Sequence, residues 1–194
     1  PPSVAELKER LLKRSTEDEK SLETRIKKAE KEMEDAPGFD VIIINDDLDM
    51  AIKYDANNPL AYLNRAVARN LLKQNEEAIQ DCNRAIQLDY FNTGAYLKRG
   101  LIKMEIEKYD SALVDFEQAI KFDPSDPYAY FNRAMVKVFL VDSLGALNDY
   151  TKVIGMDPYN ALTYYNRALL KTNMEDYSGA LEDYTSVIMI NPDN

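Results

Sequence analysis

The chain has 194 residues, 45% of them hydrophobic, with a formal net charge of −10, no histidine and one cysteine. A field of that sign repels phosphate backbones and anionic lipid surfaces, so neither nucleic acid nor a membrane is expected as a partner. The missing imidazole excludes His-based catalytic triads, and one thiol is too few for a zinc site, so no metal and no cofactor are expected.

The abundance of Ala, Leu, Glu and Lys over six glycines and eight prolines predicts an all-α chain. Cys82 cannot form an intrachain disulfide, and a lone thiol fits a reducing compartment, so the expected location is cytoplasmic. No apolar run, Val41 to Ile44 included, is long enough to span a bilayer. The sequence opens at Pro1 rather than at a methionine, and we expect a preceding segment to have been removed.

Residues 1–58 lack the period that governs the rest of the chain. They open with Pro-Pro-Ser, continue through Leu7-Lys8-Glu9-Arg10-Leu11, Arg14-Ser15-Thr16-Glu17, Ser21 and Arg25, and reach Phe39-Asp40 before Val41-Ile42-Ile43-Ile44-Asn45-Asp46-Asp47-Leu48. This stretch, over residues 1–48, resembles the C-terminal part of guanylate kinase. The resemblance implies that Arg10, Arg14 and Arg25 stand where the family's lid closes over nucleotide phosphates, and that Asn45 and Asp46 follow a strand beside the base. It also shows what is missing: no Gly-x-x-x-x-Gly-Lys-Ser/Thr loop is present to cradle a triphosphate and hold its magnesium.

Without the rest of a parallel sheet, a strand over residues 41–45 has both edges unpaired, which is costly when buried and adhesive when exposed. We therefore expect Glu17 to Asp35 and Asp40 to Tyr54 to form a helical hairpin broken at Pro37-Gly38 and stacked on the repeats that start at Pro59. The alternative keeps 41–45 as a short strand that pairs with another chain. In either case Asp47 to Asp55 imitates the second helix of a repeat, giving a kinase-like segment over 1–46 and a half-repeat helix over 47–58.

From Pro59 onward, rows of 34 residues starting at Pro59, Thr93, Pro127 and Ala161 place like residues in like columns. Column four reads Tyr62, Tyr96, Tyr130, Tyr164; column eight reads Ala66, Gly100, Ala134, Ala168; column twenty is Ala78, Ala112, Ala146, Ala180. Small residues recur where two helices must approach, and Ala85-Ile86, Ala119-Ile120, Val153-Ile154 and Val187-Ile188 continue the apolar stripe of a second helix. Each row is thus a helical hairpin, punctuated at its end by Asp123-Pro124, Asp157-Pro158 and Asn191-Pro192.

This pattern resembles the tetratricopeptide repeat (TPR) over residues 59–194, with rows at 59–92, 93–126, 127–160 and 161–194. The resemblance implies a right-handed superhelical solenoid with a concave inner face, since one hairpin cannot bury its apolar side without neighbours. Two departures stand out: Tyr90 where the other rows have proline, and a basic column eleven (Arg69, Lys103, Lys137, Lys171) where the family has an aromatic. We expect those basic stems to lie along the surface. No polar helix closes row four, so an apolar end is expected there, open to self-association, as is 41–45.

Several columns carry candidate function. The resemblance implies that columns two, five, six, nine, twelve and thirteen line the groove, giving Leu63, Leu97, Phe131 and Tyr165 in column five and Val67, Leu101, Met135 and Leu169 in column nine. Column six (Asn64, Lys98, Asn132, Asn166) offers amides that can pair with an extended peptide backbone. The basic clamp by which some relatives hold acidic chaperone tails is not matched: Leu63, Val67 and Gly94 stand in its places. Arg65, Arg99, Arg133 and Arg167 each precede an aspartate (Asp81, Asp115, Asp149, Asp183) by the same spacing and read as a structural ladder. Cys82 reads as a small buried filler. The chain is accordingly expected to be a protein-interaction scaffold holding a peptide or partner segment, and not an enzyme; the alternatives are part of a nucleotide-binding protein lacking its phosphate loop, or a purely structural fusion.

Overall fold

The structure, a computed structural model, describes residues 48–192. All regular secondary structure among the described residues is helical, as the composition predicts. Residues 48–54 are helical, followed by α1 (Pro59–Leu71), α2 (Asn75–Leu88), α3 (Thr93–Glu105), α4 (Tyr109–Phe122), α5 (Pro127–Phe139), α6 (Ser143–Met156), α7 (Ala161–Asn173) and α8 (Tyr177–Ile190). The odd-numbered helices are the first helices of each row and the even-numbered ones the second. Each row's helices pack on one another and its second helix packs on the first helix of the next row, building a solenoid.

Local chemistry sets each boundary. The first helices begin at side-chain caps: Asn58, Asn92, Asp126 and Asn160 accept hydrogen bonds from backbone amides of the first turn, and Pro59 and Pro127 occupy the first helical position, where a missing N–H costs nothing. The second helices of the first three rows stop at an acidic residue that folds back on the chain. Asp89 Oδ1 accepts from Phe91 N at 3.2 Å, Asp123 from Ser125 N at 3.0 Å and Asp157 from Tyr159 N at 3.3 Å. The row that has Tyr90 in place of proline ends in the same way, so the aspartate, more than the proline, stops the helix. Asp55 does likewise with Asn57 N at 3.0 Å, which ends the 48–54 helix as a second helix ends.

Between the two helices of a row, the small columns are closed off completely. Ala66, Ala78, Ala112, Ala134, Ala146 and Ala168 have no exposed surface. Gly100 shows why one row abandons alanine. A Cβ there would stand 2.8 Å from Cε1 of Phe116, whose ring is fully buried. Cys82 occupies Phe116's column in row one and is also fully buried, filling less space opposite Ala66.

The turn between the two helices of each row passes through the left-handed region at one position. Lys73, Glu107, Val141 and Glu175 have φ of 61°, 60°, 62° and 64°. None is glycine, and Val141 is β-branched and 83% exposed, so nothing packs on it to offset the backbone cost.

Candidate functional site

The arginine and aspartate columns form the most regular polar feature of the molecule. Arg133 donates through Nε to Asp149 Oδ2 at 2.8 Å and through Nη2 to Oδ1 at 2.6 Å, a two-pronged pairing that recurs between Arg65 and Asp81 and between Arg167 and Asp183. Arg99 and Asp115 pair in the same place. The carboxylates are 1–5% exposed at the side chain, so these are interior ion pairs joining the first and second helices of a row.

A second cation completes each pair, and here the expectation for column eleven is corrected. Arg69, Lys103, Lys137 and Lys171 do not run along the surface; their side chains are 14–21% exposed and end on the same aspartates, at 2.8 to 2.9 Å. A carboxylate buried this deeply needs more than one partner to offset its desolvation, and a column-eleven aromatic would supply none. The balance is visible at Asp183: burial pushes its pKa up, but hydrogen bonds from Arg167 and Lys171 outweigh this and hold it below the usual carboxylate value. At Arg65 the Asp81 hydrogen bond likewise outweighs burial and holds the guanidinium's pKa above its ordinary value.

In three of the four arginines the remaining guanidinium nitrogen reaches backward to the helix before. Arg65 Nη1 meets Asp49 Oδ1 at 2.6 Å, Arg99 Nη1 meets Asn83 Oδ1 at 2.6 Å, and Arg167 Nη1 meets Thr151 Oγ1 at 3.1 Å. Each arginine also lies over the tyrosine one turn before it, 5.4–5.7 Å from the ring centroid, which gives column four its purpose. One side chain thus ties three helices. The Asp49 contact places the 48–54 helix where a preceding row's second helix would stand.

These networks shape the candidate groove by removing charge from it. Of the cations in α1, α3, α5 and α7, eight serve the buried aspartates, leaving Lys98; the one acidic residue in those four helices is Glu105, which accepts from Asn70 Nδ2 at 2.9 Å. The residues expected to line the groove are otherwise neutral. Leu63, Val67, Leu97, Leu101, Phe131 and Met135 are half-buried, while Tyr165 and Leu169 are 45% and 40% exposed. Tyr128, Phe131 and Leu162, with Pro127, Val153 and Asn160, line a shallow pocket of about 210 Å³ between α5 and α7.

The column-six amides do not form a uniform ladder. Asn64 and Lys98 are exposed, whereas Asn132 is 3% exposed and donates Nδ2 to Tyr128 O at 2.7 Å. Asn166 donates in the same way to Leu162 O at 2.8 Å. An amide one turn after a helical carbonyl finds that acceptor close at hand, so one of the two N–H donors of each is engaged within its own helix. The pocket residues Tyr128 and Leu162, from column two, were implied by the family pattern but not singled out by residue.

Cys82 is chemically quiet: burial pushes its thiol up to about 12, so almost no thiolate is present at neutral pH. Arg10, Arg14, Arg25, Asn45 and Asp46, the 41–45 strand alternative and most of the expected N-terminal hairpin lie outside the described residues. No helix among the described residues is long and apolar enough to cross a membrane.

Comparison with known proteins agrees with this geometry. The guanylate kinase family matches residues 1–57, nine residues beyond the boundary expected from sequence, so the match runs through the 48–54 helix that also serves the solenoid. A guanylate kinase of Synechococcus sp. (strain CC9311) is 46% identical over 52 residues, covering 27% of this chain and 27% of that protein. The chain thus spans about a quarter of the length of the curated relatives it matches. Two families described as TPR repeat and Tetratricopeptide repeat match residues 100–137 and residues 60–92 and 161–194. Among solved structures, MamA 41-end from Desulfovibrio magneticus RS-1 superposes with a TM-score of 0.73 at 16% identity, covering 92% of this chain and 98% of that one. TTC0263, a thermophilic TPR protein of Thermus thermophilus, superposes at 0.64 with 15% identity over 76% of this chain and 81% of its own. Sequence period, helix pairing and superposition agree, and the chain belongs to the tetratricopeptide-repeat proteins, with a guanylate kinase-like segment ahead of its repeats.

Proposed function

We propose that the repeats hold a partner polypeptide in the groove built by α1, α3, α5 and α7, and that the bound segment is apolar and carries little charge. The TPR fold supports an interaction scaffold in general. The observation that carries the finer reading is the withdrawal of eight cations into the buried aspartate networks, which leaves Lys98 and Glu105 as the charged residues of the first helices outside those networks. An acidic tail finds one cation there, whereas an apolar side chain finds the pocket of Tyr128, Phe131 and Leu162. Leu63, Asn64, Val67, Leu101, Met135, Tyr165, Asn166 and Leu169 complete the proposed surface. Asn132, 3% exposed and bonded through one Nδ2–H to Tyr128 O, contributes little to it.

A displayed-peptide selection tests this. Peptides enriched on the wild-type chain are expected to be apolar and to lose most of their binding to a Leu162→Asp variant, because a carboxylate in the pocket must be desolvated. Enrichment of acidic peptides, or equal binding by the variant, rejects the reading.

A second reading rests on the guanylate kinase match over residues 1–57. In it Arg10, Arg14, Arg25, Asn45 and Asp46 hold a guanine nucleotide or its phosphates. Calorimetric titration of the chain with GMP and with ATP decides it: micromolar binding favours a nucleotide site, and silence leaves the interaction scaffold.

A further inference from the structure

Row one ends in two aromatic rings, Asp89-Tyr90-Phe91, where row two has Asp123-Pro124-Ser125. The backbone turns alike in both: Asn92 N donates to Asp89 O at 3.2 Å and Asp126 N to Asp123 O at 3.5 Å. The turn therefore does not call for the rings, and they are not folded away. Tyr90 is 56% and Phe91 71% exposed.

They are nonetheless ordered against α4. Tyr90 meets Phe91 at 5.5 Å and 80°, Tyr90 meets Phe122 at 5.4 Å and 72°, and Phe91 meets Phe122 at 5.2 Å and 78°. Buried Tyr96 of α3 supports Tyr90 and Phe122 from inside. Three rings held edge to face turn their π faces in different directions, and each face carries negative potential.

The charges beside the rings have the same sign. Asp89 precedes Tyr90 and Asp123 follows Phe122, and α2 and α4 end there, so their dipoles add negative potential. Each carboxylate gives Oδ1 to its own turn, and among the described residues neither Oδ2 has a donor. Lys121 Nζ, 5.9 Å from the Phe122 centroid, shows how a cation meets this cluster. Among the described residues no cation lies over Tyr90 or Phe91.

We propose that this edge of the array is a docking site for a partner polypeptide that presents an arginine between apolar residues. The guanidinium stacks on an exposed ring face and donates to the open carboxylate oxygens of Asp89 and Asp123, while the apolar neighbours cover the rest of the rings. The site is built from the α2–α3 connection and the end of α4, outside the columns proposed for the groove, and takes a cation where the groove takes a neutral segment.

The test is a subtractive selection with the whole chain. Displayed peptides are depleted on a Tyr90→Pro/Phe91→Ser chain, which gives row one the ending of row two, and the remainder are selected on wild type. The peptides recovered are expected to carry arginine flanked by apolar residues and to bind an Asp89→Asn/Asp123→Asn chain at least about tenfold more weakly. Asparagine keeps the Oδ1 acceptor of the turn, and Asn191 already ends α8 at this position, so that variant removes charge alone. Unchanged circular dichroism and melting confirm that both folds are intact. The groove variant Leu162→Asp is expected to bind these peptides as wild type does, which separates the two sites. Recovery of no peptides, recovery of peptides without arginine, or equal binding by the asparagine variant overturns the proposal. So does sedimentation showing that wild type dimerises and the row-one variant does not, because the occupant is then a second copy.

Discussion

The interior of each hairpin and the turn that closes it meet opposite standards of sequence. Inside, four rows solve one problem with one set of residues: an arginine over a tyrosine, a buried aspartate, a second cation, and alanine or glycine at the closest approach. At the turn, four rows place Lys73, Glu107, Val141 and Glu175 in the same left-handed conformation, with a cation, a β-branched aliphatic and two carboxylates serving alike. A buried carboxylate has no water to fall back on, so its partners must be the right ones; an exposed turn is solvated whatever it carries and tolerates a backbone cost of about 1–2 kcal/mol.

That contrast breaks most visibly at Asp115, whose side chain is 1% exposed. Asp115→Ala leaves Arg99 and Lys103 facing an apolar wall, and a loss of about 3–5 kcal/mol is expected in urea unfolding. Removing one charge from row two without loss of stability would show that the networks are ornamental. The pair itself is measured by a double-mutant cycle on Arg133→Ala and Asp149→Ala, where a coupling of about 1–3 kcal/mol is expected and additivity would reject the ladder.

Next comes packing. Gly100→Ala sets a methyl group against the buried ring of Phe116, and a loss of about 1–3 kcal/mol is expected by thermal melting. A Phe116→Leu background should relieve part of it, since the clash is with that ring.

The pH dependence has a defined sign. The folded pKa of Asp183 lies below its unfolded value of about 3.9, so its contribution is fully present above that pH and is lost as the pH falls through the folded value, where the unfolded chain binds more protons. Melting followed from pH 6 down to about pH 2 should fall more steeply for wild type than for Asp183→Asn. Parallel curves would mean that the carboxylate is not selectively ionised by its two cations.

The smallest effect, and the one of opposite sign, is at the turn. Val141→Gly relieves a β-branched residue at φ 62°, and after the entropy that glycine adds to the unfolded chain a gain of about 0.5–1 kcal/mol is expected. A lower melting temperature for Val141→Gly would show that the turn is held by something other than backbone sterics.

Much of this architecture was legible in the sequence. A 34-residue period with tyrosine, small and alanine columns fixes helix pairing, because a repeated spacing forces the same faces together in every row. The arginine-to-aspartate spacing of sixteen was readable for the same reason, and the structure shows the same spacing running backward to Asp49, Asn83 and Thr151. The columns expected to line a groove were readable, yet the exposure of their members was not: Asn64 and Asn132 share a column, one exposed and one buried on Tyr128 O.

The amino-acid order by itself determined that this chain is a stack of helical hairpins, since periodicity and small-residue columns are properties of the string. Only the tertiary structure decided where the column-eleven cations end, which amides are exposed and which turn residue takes a positive φ. Those outcomes depend on distances between side chains far apart in sequence, where burial sets the cost of an unpaired charge and solvent erases it.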